Sequence, residues 1–269
     1  MGTLSYRRNL TEDLAIFRVS PADKSHVSKF SAGQYVSLGL PVETESGIET
    51  TYRAFSVASP PEELHYFEFY VKKAKEPVKG LFTTALFDLS IGSEIYWTAP
   101  SGNFTIEGTL PDGNADVRRL ILIAAGTGLA PFVSYLKHLH YIQSKRQIVL
   151  VHGARYPTEL GYREEFESLT SDSGFNFVYI PTISRIADPE SAGWSGAKGR
   201  VEDLLQESEE RSYLDVVLLE QILPSNSFVH VCGYPGTIDS VMTALTRRGF
   251  VSNRTSSVPG SFSVKVEVY

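Results

Sequence analysis

The 269-residue chain contains one cysteine, Cys232. A single thiol excludes an intrachain disulfide and a self-contained iron–sulfur cluster, which needs several thiolates. Any iron–sulfur chemistry therefore involves another protein. Nor is there a metal-ligand spacing among the histidines. His138 and His140 stand two apart on a helix-like run and point to different faces. No apolar run approaches the ~20 residues needed to cross a bilayer, and the opening Met1-Gly2-Thr3-Leu4-Ser5-Tyr6-Arg7-Arg8 lacks the apolar core of a secretory signal. A cytoplasmic location is expected. A basic excess is missing as well. The net charge is −6, with 10 Lys+Arg against 14 Asp+Glu through Ala115 and 15 against 17 afterwards. Neither half suits nucleic acid as a partner. Internal repeats and low-complexity segments are absent.

What is there divides into two patterns, as the length leads one to expect. In the first ~110 residues, short β-branched or aromatic runs are bounded by Gly, Pro or Ser. They are Leu14–Val19, Gln34–Leu38, Thr51–Ser59, Tyr66–Lys73 and Ser93–Thr98, with one helix-like stretch at Leu81–Phe87. Five or six strands and one short helix predict an antiparallel β-barrel over 1–110, because closure removes exposed sheet edges. Residues 108–116 are turn-formers and polar residues with little to bury, a linker.

From 117 to 269 strands and helices alternate. Strands are expected at Leu120–Ala125, Ile148–His152, Phe175–Ile180 and Phe228–Cys232, and helices at Pro131–Gln143, Arg163–Leu169, Arg200–Leu205 and Pro235–Arg248. Alternation of this kind predicts an α/β doubly wound parallel sheet, and such sheets bind ligands at the carboxyl ends of their strands. The tail Phe262–Tyr269 alternates as a last strand, and its terminal ring needs an apolar surface.

Two segments carry phosphate-binding chemistry. Arg53-Ala54-Phe55-Ser56 puts a cation, a ring and a hydroxyl on one strand, where a guanidinium grips a pyrophosphate bidentately. Phe55 then packs on a flavin ring or ribityl chain, and Ser56 faces flavin N5. Alternatively these are a surface Arg and a core Phe. Gly80-Leu81-Phe82-Thr83-Thr84 offers further phosphate contacts from a loop and helix N-terminus, and the candidate set takes in Tyr70, Val71 and Lys72 from the preceding strand. In the second half, Gly126-Thr127-Gly128-Leu129-Ala130-Pro131 follows an apolar strand and opens a helix. There backbone N–H groups approach a pyrophosphate. It lacks the third glycine of the ordinary dinucleotide fingerprint. One device per half suggests two nucleotides held against each other.

Arg155, Thr182, Ser184, Arg185 and Arg200 fall at or just past strand ends on the expected binding edge. Arg and hydroxyl donors there favour a ribose 2′-phosphate, hence NADP(H) over NAD(H). The alternative is a set of solvated pairs with Asp188 or Glu190. Cys232, followed by Gly233, Tyr234 and Pro235, is either a buried structural thiol or a polarizable wall beside a nicotinamide. Glu267 is an exposed strand residue or a carboxylate close to the flavin, and Tyr269 frays or covers the flavin face. Lys72, Lys73, Lys75 and Lys79 form a solvated strand edge or, bordering the flavin, steer an acidic electron carrier.

These motifs together resemble the ferredoxin–NADP reductase family along nearly the whole chain. Arg53–Ser56 resembles its Arg-x-aromatic-Ser flavin motif, Gly80–Thr84 its second flavin segment and Gly126–Pro131 its pyridine-nucleotide loop. Ser184-Arg185 resembles the 2′-phosphate site, Cys232-Gly233 the nicotinamide segment, and Val266–Tyr269 the plant-type ending. Length and the Arg-Ala-Phe-Ser form are closer to bacterial members. Phe55 stands where Tyr is usual, and the long basic leader of plastid members is missing, which argues against plastid-style ferredoxin docking. The resemblance implies FAD in the barrel, NADP(H) on the wound sheet and reaction in the crevice between them. It further implies hydride exchange between nicotinamide C4 and flavin N5, with Ser56, Cys232, Glu267 and Tyr269 shaping the site. The implied partner is ferredoxin or flavodoxin. A reductase component of an oxygenase, or a free-flavin or quinone reductase, fits the same scaffold, and a nucleotide-binding subunit without turnover stands as a third alternative.

Overall fold

The computed structural model describes the chain except for residues 45–46, 75–79, 107, 111, 209–210, 258–259 and 269. Its contacts separate two units, Met1–Ile106 with Ala130–Ile142, and Glu107–Leu129 with Gln143–Tyr269.

In the first unit, β1 (Gly2–Asn9), β2 (Leu14–Pro21), β3 (Tyr35–Thr44), β4 (Gly47–Ser56), β5 (Phe67–Lys72) and β6 (Glu94–Trp97) form one barrel-like antiparallel sheet. Its order is β4-β3-β6-β1-β2-β5. Leu4, Phe17, Val36, Leu38, Phe67, Phe69 and Ile95 turn inward from five of the six strands, and α1 (Leu81–Asp88) adds Phe82, Leu86 and Phe87 to the same core. The strand β1 is absent from the sequence expectation because Tyr6-Arg7-Arg8 reads as polar. Yet the Arg7 guanidinium lies over the rings of Phe17 and Phe87 and donates to the Phe87 carbonyl, its stem covering apolar surface. The weak alternation of β5 has a similar cause. Glu68 is buried there, paired with Arg18 at 2.7 Å and Lys137 at 3.3 Å.

The helix α2 (Ala130–Tyr141) clusters with this barrel, although its sequence falls in the alternating half. Ser134 donates to the Ser59 carbonyl at 2.7 Å, the Tyr135 hydroxyl donates to the Phe104 carbonyl, and His138 Nδ1 lies 2.6 Å from Glu62 Oε1. Gly33, at φ +89°, passes so close to Phe104 and Tyr135 that a Cβ would sit 1.9 Å from the Phe104 oxygen.

In the second unit, β7 (Arg119–Ala125), β8 (Ile148–Ala154), α3 (Arg163–Thr170), β9 (Phe177–Ile183) and β10 (Ala197–Lys198) come first. A small hairpin, β11 (Glu207–Ser208) and β12 (Arg211–Ser212), follows with α4 (Tyr213–Val217). Then come β13 (Ser227–Gly233), α5 (Pro235–Arg247) and β14 (Val264–Val268). The parallel sheet runs β10-β9-β8-β7-β13-β14. Alternate residues serve its two faces. Ile121, Ile123, Val149, Val151, Val229 and Val231 meet Ile238, Val241 and Leu245 of α5, while His152, Phe177 and Tyr179 meet Phe166 of α3.

One expectation needs correction. The segment Arg200–Leu205 forms only a 3-10 turn at Asp203–Leu205, which the extended backbone of Gln206 ends before a helix can continue. Within residues 108–116, read as turn-formers and a linker, Thr109 bridges Ala115. Its following residue Asp116 is held by Arg118 at 2.8 Å and Arg146 at 3.3 Å. The helix α4 was not expected. It is short, started by a capping box of Ser212 and Asp215. No helix of the described residues is long and apolar enough to cross a membrane.

Candidate functional site

The first unit gathers one group of candidates around β4 and α1. Pairing of β4 with β3 sets Arg53 opposite Leu38, Ala54 opposite Ser37, Phe55 opposite Val36 and Ser56 opposite Tyr35. Arg53 is exposed, and among the described residues it donates only to the Tyr52 carbonyl, at 2.8 Å, and forms no ion pair. Phe55 is half-buried, 5.6 Å from the Phe82 ring and 6.3 Å from Phe69. This contact joins the Arg-Ala-Phe-Ser strand to the Gly80–Thr84 segment. Ser56 is half-buried at the strand end.

Gly80 is the N-cap of α1, with no side-chain cap and no acid in the first turn. The Thr83 hydroxyl donates to the Gly80 carbonyl at 3.1 Å and accepts the Ala74 N–H at 3.1 Å. A Cβ on Gly80 would come 2.7 Å from Thr83 Oγ1 and Ala74 Cβ. An uncapped helix start suits an anionic group. Leu81 is exposed and Thr84 half-buried. Tyr70 and Val71 are buried in β5, so their side chains serve the core. Lys72 lies 3.9 Å from Asp13, and Lys73 lies 3.9 Å from Asp88. Half of the expected basic edge is thus partly neutralised; Lys75 and Lys79 lie outside the described residues.

The second unit holds the other group. From β7 the chain order runs outward through β8, β9 and β10, then returns to β13 on the opposite side. The sheet order therefore reverses between β7 and β13, the switch point at which wound sheets take ligands. Both glycine segments sit there. Gly126 has φ +57°, and Gly126–Leu129 makes a 3-10 turn after β7. A Cβ on Gly128 would lie 2.2 Å from the Cys232 carbonyl oxygen, and one on Gly233 3.1 Å from Ala125 Cβ. Thr127 is half-buried between the two glycines. Pro131 belongs to the first unit, buried in the first turn of α2.

Cys232 is paired in register with Ala124 on one side and Glu267 on the other. Its thiol points to Glu267 Oε2 at 3.9 Å. Burial, with the carboxylate beside it, raises the thiol pKa well above its ordinary value. The group stays a neutral thiol and is no thiolate nucleophile. Pro235 opens α5 without a side-chain cap or a first-turn acid. Tyr269 lies outside the described residues.

The expected 2′-phosphate edge is assembled by backbone bonds. Ser184 N–H donates to the Ala154 carbonyl and Arg185 N–H to the Arg155 carbonyl, both at 3.1 Å. Thr182 is buried and donates to the Gly199 carbonyl at 2.7 Å. Arg185 is exposed and, among the described residues, its side chain has no hydrogen bond or ion pair. Among the described residues, Arg185 and Arg200 form no ion pair with Asp188. Asp188 instead caps the next turn and accepts the Tyr156 hydroxyl at 3.1 Å. Arg155 pairs with Glu159 at 2.6 Å, and Arg200 lies 3.8 Å from Glu202. Sequence reasoning missed Glu159, whose four-residue spacing from Arg155 is the available signal, and Lys198, which stands opposite Ile183 at the sheet edge.

Residues 1–106 match the family model of an oxidoreductase FAD-binding domain, and residues 122–243 that of an oxidoreductase NAD-binding domain. A ferredoxin–NADP reductase from Azotobacter vinelandii is 27% identical over 88% of this chain and 86% of its own length. The chain belongs to the ferredoxin–NADP reductase family. Family members in that sense are oxidoreductases with one FAD-binding and one NAD(P)-binding domain, and this chain has both. The solved ferredoxin–NADP reductase of Neisseria gonorrhoeae, with FAD and NADP bound, superposes with a TM-score of 0.77 at 22% identity. The match covers 99% of this chain and 97% of that one. The reductase component of propane 2-monooxygenase from Rhodococcus jostii is 29% identical over 89% of this chain. The chain spans only 58% of that relative's length.

Proposed function

We propose that this chain passes electrons from NADPH, through FAD, to a one-electron carrier of the ferredoxin or flavodoxin type. The reading rests above all on the contact of Gly128 with Cys232, and of Cys232 with Glu267, at the ends of β7, β13 and β14. A turn in which backbone replaces side chains accommodates a pyrophosphate, and a neutral thiol beside a carboxylate borders the nicotinamide. On the barrel, Arg53 and the start of α1 hold the FAD phosphates, and the Ser56 hydroxyl lies near N5. Arg185, with Ser184 and Arg200, recognises the 2′-phosphate. Bound FAD supplies the conversion between two-electron and one-electron chemistry. The protein orients the two nucleotides, and its thiol neither attacks nor carries charge.

The likeness to the Azotobacter enzyme over most of both chains supports the ferredoxin-type acceptor. The monooxygenase reductase components favour a second reading, in which the acceptor is an oxygenase. Visible spectra during anaerobic titration with NADPH and NADH test the donor. A yellow protein bleached far more readily by NADPH is expected, and equal bleaching by NADH counts against it. Turnover with purified ferredoxin, flavodoxin and small acceptors tests the other end. Reduction of small acceptors alone sinks the carrier reading.

A further inference from the structure

Arg155 and Arg185 share a backbone hydrogen bond but differ in electrostatic state. Arg185 is exposed and without an ion partner among the described residues. Arg155 is engaged by Glu159. Glu159 Oε1 accepts from Nη2 at 2.6 Å and from Nε at 3.2 Å; Oε2 accepts from Nε at 3.3 Å and from the Arg155 backbone N–H at 3.1 Å. The Glu159 side chain is 9% exposed, whereas that of Arg155 is 49% exposed. The carboxylate is therefore fixed in the protein while the cation faces solvent. Its grip on the backbone N–H as well as the side chain prevents it from swinging aside when an anion approaches.

We propose that Glu159 is a specificity-determining residue, which limits the preference for a 2′-phosphorylated nucleotide by neutralising Arg155 beside Ser184 and Arg185. The inference rests on the reading of this edge as the 2′-phosphate site. A phosphate approaching Arg155 is attracted by the guanidinium and repelled by the carboxylate held against it. A free 2′-hydroxyl carries no net charge and feels little of either. Attraction to Arg185 is uncompensated, so discrimination falls mainly on that residue. Glu159 thus acts through Arg155 as a positioning residue, without touching the nucleotide. Glu159→Gln removes the charge and keeps one accepting oxygen for Arg155, an amide NH2 replacing the other.

The test is calorimetric binding of adenosine 2′,5′-bisphosphate and of 5′-AMP to the FAD-loaded protein. In E159Q the affinity ratio of bisphosphate to AMP should rise roughly fivefold, the scale of one half-exposed charge contact, and added salt should shrink the gain. The gain should vanish when Arg155→Gln is also present, as a double-mutant cycle requires of a pair acting together. An unchanged or lower ratio in E159Q overturns the proposal, as does a gain that persists without Arg155. Should E159Q fail to fold, R155Q alone decides. It should lower the ratio less than R185A does, and an equal or larger loss overturns the proposal. If R185A leaves the wild-type ratio unmoved, the 2′-phosphate reading of the edge fails instead, separately from the role of Glu159.

Discussion

The Cys232 thiol and the Glu267 carboxylate meet at 3.9 Å across neighbouring parallel strands. Burial first, and the carboxylate second, raise the thiol pKa. A thiol pKa raised in the folded state contributes stability that is fully present below the unfolded value of about 8.5 and is lost as pH rises beyond it. Urea midpoints of the wild type should therefore fall between pH 7 and pH 10 by more than those of Cys232→Ala. Iodoacetamide at pH 8 should label the unfolded protein readily and the folded one slowly. Fast labelling of the native chain would contradict the buried neutral thiol.

Arg53 should contribute to flavin retention without contributing to the fold. Its guanidinium is exposed and, among the described residues, bonds only a neighbouring carbonyl. Loss of one charge-assisted contact to phosphate, at about 1.5–3 kcal/mol, predicts FAD affinity some 10- to 100-fold weaker in Arg53→Ala. Quenching of flavin fluorescence during titration of the apoprotein measures it, with the thermal midpoint of the apoprotein unchanged.

Gly128→Ala places a methyl group 2.2 Å from the Cys232 carbonyl oxygen, against backbone that cannot rotate away. The glycine turn and the end of β13 must separate. Nucleotide binding should drop at least tenfold, or the variant should be destabilised by about 1–3 kcal/mol. Calorimetry and urea unfolding distinguish these outcomes, and wild-type values in both would refute the close approach.

Asp215 and Arg248 form a buried pair, 2.9 Å apart at two atoms, and Asp215 also accepts the N–H groups of Ser212 and Ile222. Burial pushes the Asp215 pKa up, but the bond from Arg248 and the backbone N–H bonds outweigh it, and the net shift is downward. Its stabilisation is present above the unfolded value of about 3.9 and is lost as pH falls through the lower folded value. Arg248→Ala leaves the carboxylate buried without its partner and should cost about 3–5 kcal/mol. Urea unfolding at pH 7 checks this, and a loss under 1 kcal/mol would disprove it.

How far the fold was legible depended on whether local chemistry decided it. The strand β7 and its glycine turn could be read directly, because a wholly apolar run followed by Gly-Thr-Gly has few alternatives. The short distance between Cys232 and Glu267 could not. It depends on β14 lying beside β13, a pairing across 35 residues that neither segment encodes alone. The turn after Arg200 was mistaken for a helix since Val201, Leu204 and Leu205 are apolar and buried. The backbone turns extended at Gln206 and runs into β11, so the apolar spacing stops after one 3-10 turn. The Arg155–Glu159 pair was written in a four-residue spacing, but the choice between Glu159 and Asp188 as partner needed the loop geometry that commits Asp188 to Tyr156.

The placement of α2 with the barrel has a practical consequence for dissecting this protein. A recombinant fragment ending at Ile106 would leave the Ser59 and Phe104 carbonyls without the hydroxyls of Ser134 and Tyr135. The complementary fragment would carry a helix with eight buried residues and no barrel beneath it. Cleaving or splitting the polypeptide near residue 107 therefore yields two incomplete pieces, and the flavin half is better tested by altering it inside the intact chain.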